Sequence, residues 1–429
     1  MAPAGSTIGR AGVIAAAAFA IVNAAGCGGN QPRSVTYYRD VLPIAVQHCA
    51  GCHTPGGFAP FSLLDYDQAR PYAGSMAIAT GAGTMPPWPP AEGCGDFRNV
   101  RRLSSAEIAT IDAWNKQGAP AGDPADAPAS LTPPATNLGA PSATLDTGVT
   151  YTANPALTDD YHCFLVDPGL TETHDLVGYD IHPGATASVH HVLLFAVSPD
   201  QLAAAQAKDA AEAGVGWTCF GSSGVGTGAN VPTVVGGWVP GSGGTAFPPP
   251  TGITLAAGTQ VVIQVHYNLL INNDVNDRTT VDLFYADAPV AKPARIRPIA
   301  NTTFMVPAGV ASQTVMAQLP ISDSYALWGV VPHMHLHGTN IKVSVVHADG
   351  GSTCAVDIPH WNFHWQQFYY FNEPLPIVAG DSIRLECTYD NSAASQPIIN
   401  GVREAPAPLT WGDATTDEMC LNYLYFTAP

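Results

Sequence analysis

The chain has 429 residues, enough for two or three domains with real hydrophobic cores. Its 42 glycines and 38 prolines favour short strands and loops over long helices. Only 12% of residues are charged and the formal net charge is −18, which speaks against nucleic acid or anionic lipid headgroups as partners; the charge reads as solubility.

Residues 1–27 read as an export signal. Arg10 is its only charge, 11–25 is apolar, and Ala24-Ala25-Gly26-Cys27 resembles a lipoprotein cleavage box. Lipidation at Cys27 would tether the mature protein to a bacterial cell envelope, in the periplasm or on the outer surface. A plain secretory signal with an incidental cysteine is the simpler alternative. No later segment approaches the ~20 apolar residues of a spanning helix.

A polar tether, 28–36, leads into a small all-α domain that runs to residue 118. Residues 37–53 read as a helix ending in CAGCH, with Val41, Leu42, Ile44 and Val46 at apolar positions. C-x-x-C-H is the c-type haem attachment pattern: Cys49 and Cys52 bond the vinyl groups and His53 becomes an axial ligand. A redox CxxC or a zinc pair are the alternatives. The sixth ligand is expected at Met85, held rigidly in GTMPPWPP, in preference to Met76 in an apolar helical stretch. Ser104-x-x-Glu107 is a capping box for a last helix. In that helix Trp114 packs either on haem or on other helices. Residues 119–148 form a Pro/Ala-rich linker.

From 149 the texture becomes short alternating runs between Gly/Pro turns, the pattern of antiparallel β-sandwiches. Two blocks of it, 149–293 and 294–429, predict two jelly-roll-like sandwiches, with 201–213 the only helical insert. The first carries His190-His191 in SVHHVLLF and His266 in VVIQVHYN. The second carries His333 and His335 in VPHMHLHG, which project together from one strand face, joined by His337 if the strand continues, and Met419 in TTDEMCLNYLYF. Imidazole suits copper, zinc or iron, and an added thioether favours copper cycling through Cu(I). Adjacent His190 and His191 point to opposite faces of a regular strand. Both therefore reach one metal only at a strand end or irregularity.

Four motifs in order, HHVLLF, QVHYN, HMH and DEMC, resemble the copper type II, ascorbate-dependent monooxygenases, the family of peptidylglycine α-hydroxylating monooxygenase and dopamine β-hydroxylase. The resemblance covers about 150–429; the haem segment resembles the cytochrome c module fused to bacterial relatives. It implies two copper sandwiches facing across a solvent-filled cleft. His190, His191 and His266 would hold the electron-transfer copper, and His333, His335 and Met419 the copper that binds O₂ and substrate. Gln264 matches a position near the first site and Tyr423 one near the second, while His337 falls outside the ligand pattern. The resemblance also pairs Cys163 with Cys219 and Cys387 with Cys420. A Cys94–Cys354 bridge, clipping the haem module to the second sandwich, is a guess. With Cys27, Cys49 and Cys52 set aside, an even number of cysteines remains for an oxidising compartment.

The implied function is a haem-coupled dicopper monooxygenase that hydroxylates a C–H bond of a small organic substrate with O₂. An envelope electron donor would reduce it through haem. Val331 replaces the family's carboxylate-binding arginine two residues before HxH, which makes peptidylglycine a poor substrate and a neutral or apolar one better. The aromatic stretch 357–371 either lines the cleft or, on balance, fills the second sandwich. The competing readings are a non-catalytic copper/haem electron-transfer protein and an adhesion sandwich with its histidines in the core.

Overall fold

The computed structural model describes residues 33–55, 59–129, 138–186, 188–227, 230–240, 242–269, 275–399 and 401–429. The predicted export signal, Cys27 and part of the 119–148 linker lie outside the described residues. The architecture is mainly β. Its helices gather at Tyr37–Val41, Leu42–Ile44, Ala45–Cys49, Tyr66–Ala69, Ala73–Gly81 and Ser105–Lys116, with Leu202–Asp209 further on. Among the described residues no helix is long and apolar enough to cross a membrane.

The N-terminal helices enclose a core of Tyr37, Val41, Leu42, Ala45, Ile111 and Trp114. The capping box forms as read: the Ser104 hydroxyl accepts from the Glu107 amide at 3.3 Å, and the Ser104 amide donates to Glu107 at 2.7 Å. Trp114 is fully buried, tilted against Tyr37, with its indole N–H on the Pro120 carbonyl at 3.0 Å. Its partners are thus helices and the segment after them. That segment is a strap, since the amides of Tyr37 and Tyr38 donate to Pro120 and Ala121.

Among the described residues three large sheets, with three two-stranded ones beside them, build the rest. A five-stranded sheet is ordered Trp217–Thr218, Asp159–Val166, Gln260–Asn268, Val189–Val197, Thr233–Trp238. Its central strand Gln260–Asn268 is covered on both faces, which explains an apolar run rather than an alternation. A four-stranded sheet is ordered Gln313–Pro320, Ser382–Tyr389, Gly338–Val346, Ser352–Ile358. Between them runs a nine-stranded sheet whose first half packs on the five-stranded sheet and whose second half packs on the four-stranded one.

Two independent sandwiches were the expectation; the molecule instead shares one sheet between them. Strand Lys292–Asn301 makes the join, pairing parallel with Thr251–Leu255 through Lys292↔Thr251 and antiparallel with Cys420–Thr427. The halves are therefore fixed by a hydrogen-bonded ladder, not by a hinge.

Residues 91–98 tie the helical part to the second sandwich. The Ala91 amide donates to Asp357, the Arg98 amide to Tyr370, and the Asn372 amide to Asp96. Phe97 stacks on Phe371 at 5.3 Å. Three disulfides join Cys94 to Cys354, Cys163 to Cys219 and Cys387 to Cys420. The first spans 260 positions. Replacing Cys94 and Cys354 by serine should cost about 2–5 kcal/mol. Urea unfolding that shows a lowered midpoint checks this, and an unchanged midpoint refutes it.

Candidate metal centres

His191 and His266 lie opposite each other on neighbouring central strands, and the ladder slips immediately beyond them, so that Tyr267 faces Val189. His190 is thereby the extra residue of a β-bulge. A bulge re-aims a side chain, which answers how two adjacent histidines reach one point. The ligand atoms of His190, His191 and His266 all lie within 4.8 Å of one another. Their Nδ1 atoms converge, at 3.3 Å between His190 and His191 and 3.4 Å between His266 and His191. Three imidazole nitrogens so close together could hold a metal ion.

Protonation is set from behind. His266 Nε2–H donates to Asp159 Oδ1 at 2.8 Å, which leaves Nδ1 bare. Tyr161 stacks flat on the His266 ring at 3.9 Å. Burial alone would raise the Asp159 carboxyl, but hydrogen bonds from His266 and Thr415 outweigh it and hold it below its usual range.

The second group departs from the expected strand. Tyr325–His333 ends at His333, and His335 stands in the turn before Gly338–Val346. The continuation of one strand through HMH is therefore corrected. A buried carboxylate shapes the turn instead: Glu418 accepts the His335 amide at 3.0 Å and the His337 amide at 2.6 Å. Gly338 is needed there, because a Cβ would lie 2.6 Å from Met334 and 2.9 Å from Trp361. The rings still meet, with centroids 5.1 Å apart. His333 Nδ1–H donates to Gln366 Oε1, and His335 Nδ1–H donates to the Asp417 carbonyl at 3.1 Å. Both Nε2 atoms are left for a metal. Met419 is buried and lines the same cavity wall as the two rings. The donor set of two imidazoles and a thioether fits copper.

Between the groups stands an aromatic ring. Phe363 stacks on His190 at 4.3 Å and meets His335 edge-on at 5.9 Å. The stretch 357–371 thus divides its labour. Tyr369 and Phe371 fill the second sandwich, Phe363 separates the imidazole groups, and Trp365, Gln366 and Phe368 line a cavity.

That cavity holds about 1460 Å³. At one end are His191, His333, His335, Met419 and Tyr423; at the other are Cys49, Cys52, His53, Met76 and Met85. His53 Nδ1–H donates to the Phe61 carbonyl at 3.2 Å and keeps Nε2 available. Burial pushes the Cys49 thiol up to about 12. Both methionines reach the cavity, so the lining does not separate them as ligands.

Gln264 lies away from the imidazoles. Its amide donates to the Ser222 carbonyl at 2.8 Å and lies 3.6 Å from the Cys219 sulfur. His337 is buried against Glu418 and Gln396, outside the ligand set as read. Sequence reasoning passed over Asp159, Phe363, Gln366, Thr415 and Glu418. Glu418 had a signal, being inside DEMC; Asp159 had none, because Thr415 is 256 positions away.

The two imidazole groups offer donor sets that suit copper. Residues 293–429 match the family model for the copper type II ascorbate-dependent monooxygenase, C-terminal domain, which covers His333, His335 and Met419. That match covers the second sandwich, about a third of the chain. DBH-like monooxygenase protein 1 of Homo sapiens is 22% identical over 296 residues, covering 63% of this chain and 43% of that protein. The Gallus gallus protein of the same name is 24% identical over 295 residues, with 63% and 42% covered. Tyramine beta-hydroxylase of Caenorhabditis briggsae is 22% identical over 216 residues, with 45% and 34% covered. The chain thus spans less than half the length of these relatives. Among solved structures, the major capsid protein P2 from Bacteriophage PM2 is similar at TM-score 0.25 and 7% identity, over 63% of this chain and 97% of that one. A likeness so slight carries no argument.

Burial lowers all five imidazoles: His190 and His191 far below the usual value, His266 less so because Asp159 opposes the effect. His333 falls to about 4 and His335 to about 3. Each ring releases its proton more readily folded than unfolded. The stability their neutral forms confer is therefore complete above about pH 6.5. It drains away as pH falls through about 4 and about 3. Urea midpoints of metal-free protein should decline steadily from pH 6.5 to pH 4, with a shallower decline in His333→Asn. A flat profile would show that the rings are solvated.

Proposed function

We propose that this protein is a copper-dependent monooxygenase that hydroxylates a C–H bond of a small, neutral organic substrate with O₂, reduced through a covalently held haem. The observation that carries the reading is that two separately built imidazole groups, each with its metal-facing nitrogens bare, meet at one cavity. One relative is named as a hydroxylase and another as a monooxygenase, and hydroxylation is the reaction assigned here.

Copper bound at the two groups supplies the two electrons that insertion of one oxygen atom, with release of the other as water, requires. The chain's own residues do the rest. His190, His191 and His266 present three imidazoles, a set that tolerates both copper oxidation states. His333, His335 and Met419 add a soft sulfur and favour the reduced one. Substrate is held by the sheet face beside them. Val331 is paired with Tyr423 and His333 with Leu421, and all four line the cavity. Val331 offers no charge for a carboxylate. Burial pushes the Tyr423 hydroxyl up to about 12, so it remains a proton-bearing donor toward the nascent hydroxyl.

At the far end, Cys49 and Cys52 would carry the haem thioethers, and His53 Nε2 and Met85 would hold its iron. A cavity wide enough to reach both ends supports transfer from haem to copper within one chain. Arg98 and Arg101 line the same space and are suited to haem carboxylates. Three disulfides support export to an oxidising compartment, and a lipid at Cys27 would place the protein on a bacterial envelope membrane. A separate envelope carrier would then reduce the haem.

Metal analysis of the purified protein should give two coppers and one haem iron per chain. Met419→Ala should lower hydroxylation at least about 100-fold while keeping the copper EPR signal of the three-histidine group. Iron without copper would overturn the assignment. So would loaded, reduced protein that consumes no O₂ with any candidate substrate, which is the behaviour of a pure electron carrier.

A further inference from the structure

Asp159 opens the strand Asp159–Val166 of the first sandwich, yet its carboxylate serves both sandwiches. Oδ1 accepts the His266 Nε2–H at 2.8 Å and the Thr415 hydroxyl at 2.6 Å. Thr415 belongs to the loop that delivers Met419. Both side chains are nearly inaccessible to water, so neither hydrogen bond has a solvent substitute.

Beyond Thr415 the connection continues without a slack joint. The Asp417 amide closes a turn on the Ala414 carbonyl at 2.9 Å, and the Asp417 side chain accepts the Ala414 amide at 3.2 Å. The Asp417 carbonyl then takes the His335 Nδ1–H at 3.1 Å. Tyr161, stacked on His266, adds a parallel strut by donating its hydroxyl to the Asp413 carbonyl at 3.1 Å. The path starts and ends on ring nitrogens turned away from the metal positions. It is therefore one train of contacts from a ligand of one group to a ligand of the other.

We propose that the Asp159–Thr415 hydrogen bond couples the two imidazole groups, so that an ion bound at either one tightens binding at the other. The proposal rests on the reading of both groups as copper sites. Its sign follows from the contacts. A cation on Nδ1 of His266 polarises the ring, making Nε2–H a stronger donor and fixing the Asp159 carboxylate. A fixed carboxylate fixes Thr415 and, through the turn, the Asp417 carbonyl and the approach of Met419. Ordering completed by the first ion need not be repeated for the second. Linkage makes the effect reciprocal. Thr415 is a positioning residue, and removing its hydroxyl breaks the path without touching a ligand or a backbone atom.

The test is copper(I) titration of the metal-free full-length protein against a chromophoric chelator, with EPR of the oxidised samples. In the native background, His191→Ala should weaken binding at the His333 group, and His333→Ala binding at the three-histidine group, each about 5- to 50-fold. In a Thr415→Val background the same two substitutions should leave the opposite group's affinity unchanged. Thr415→Val alone should alter the EPR signature of the three-histidine group, and Thr415→Ser should restore both behaviours. Independent affinities in the native background would overturn the coupling while leaving the copper assignment intact. Coupling that persists undiminished in Thr415→Val would overturn the role of this hydrogen bond. Protein that takes up no copper at either group would remove the functional reading as well.

Discussion

A carboxylate sealed from water holds the second imidazole group together. Glu418 has no exposed surface, and burial pushes its carboxyl above the ordinary range despite the His337 ring and two backbone amides that draw it down. Burying such a group without partners costs several kcal/mol. The structure supplies them by bending the chain after His333 so that the amides of His335 and His337 point inward. The HMH segment is consequently a turn moulded around an acceptor. Its rings converge because the backbone wraps Glu418, and Met419 follows Glu418 directly. Ligand and scaffold are adjacent in sequence for a structural reason.

The first group depends on a buried anion in a different way. Asp159 touches a ring nitrogen, not the backbone, and decides which nitrogen His266 offers. His190 and His191 need no such partner, since the bulge between Val189 and His191 does the aiming. One group is thus built by an anion under a turn, the other by a ladder irregularity on a rigid central strand.

This contrast explains what could be read in the residues beforehand. Strand texture is local, so the β architecture was legible, whereas the disulfide partners of Cys163 and Cys387 came only with the family resemblance. What escaped was long-range or irregular. Nothing in HHVLLF says where a bulge falls, and the alternation rule argued against both histidines sharing a metal. Nothing in TDDYHC announces that Asp159 meets Thr415. The shared sheet was hidden for the same reason, because Lys292↔Thr251 pairing is parallel and short. The aromatic stretch 357–371 was ambiguous because it is both things at once, core at Tyr369 and partition at Phe363.

Phe363 carries the last consequence. Placed between His190 and His335, it sets an apolar ring against both groups. An apolar neighbour strengthens each imidazole–carboxylate and imidazole–carbonyl hydrogen bond around it. It also makes protonated rings costly, which is why their basicity falls and why neutral, metal-ready imidazoles prevail at ordinary pH. The same ring closes the direct line between the groups to a bulky molecule. The cavity beside His333 and His335 is walled by Val331, Leu421 and Tyr423. The shared sheet and the Cys94–Cys354 bridge hold that wall in place. The same cavity is also lined by Cys49, Cys52 and His53, in the segment that carries CAGCH.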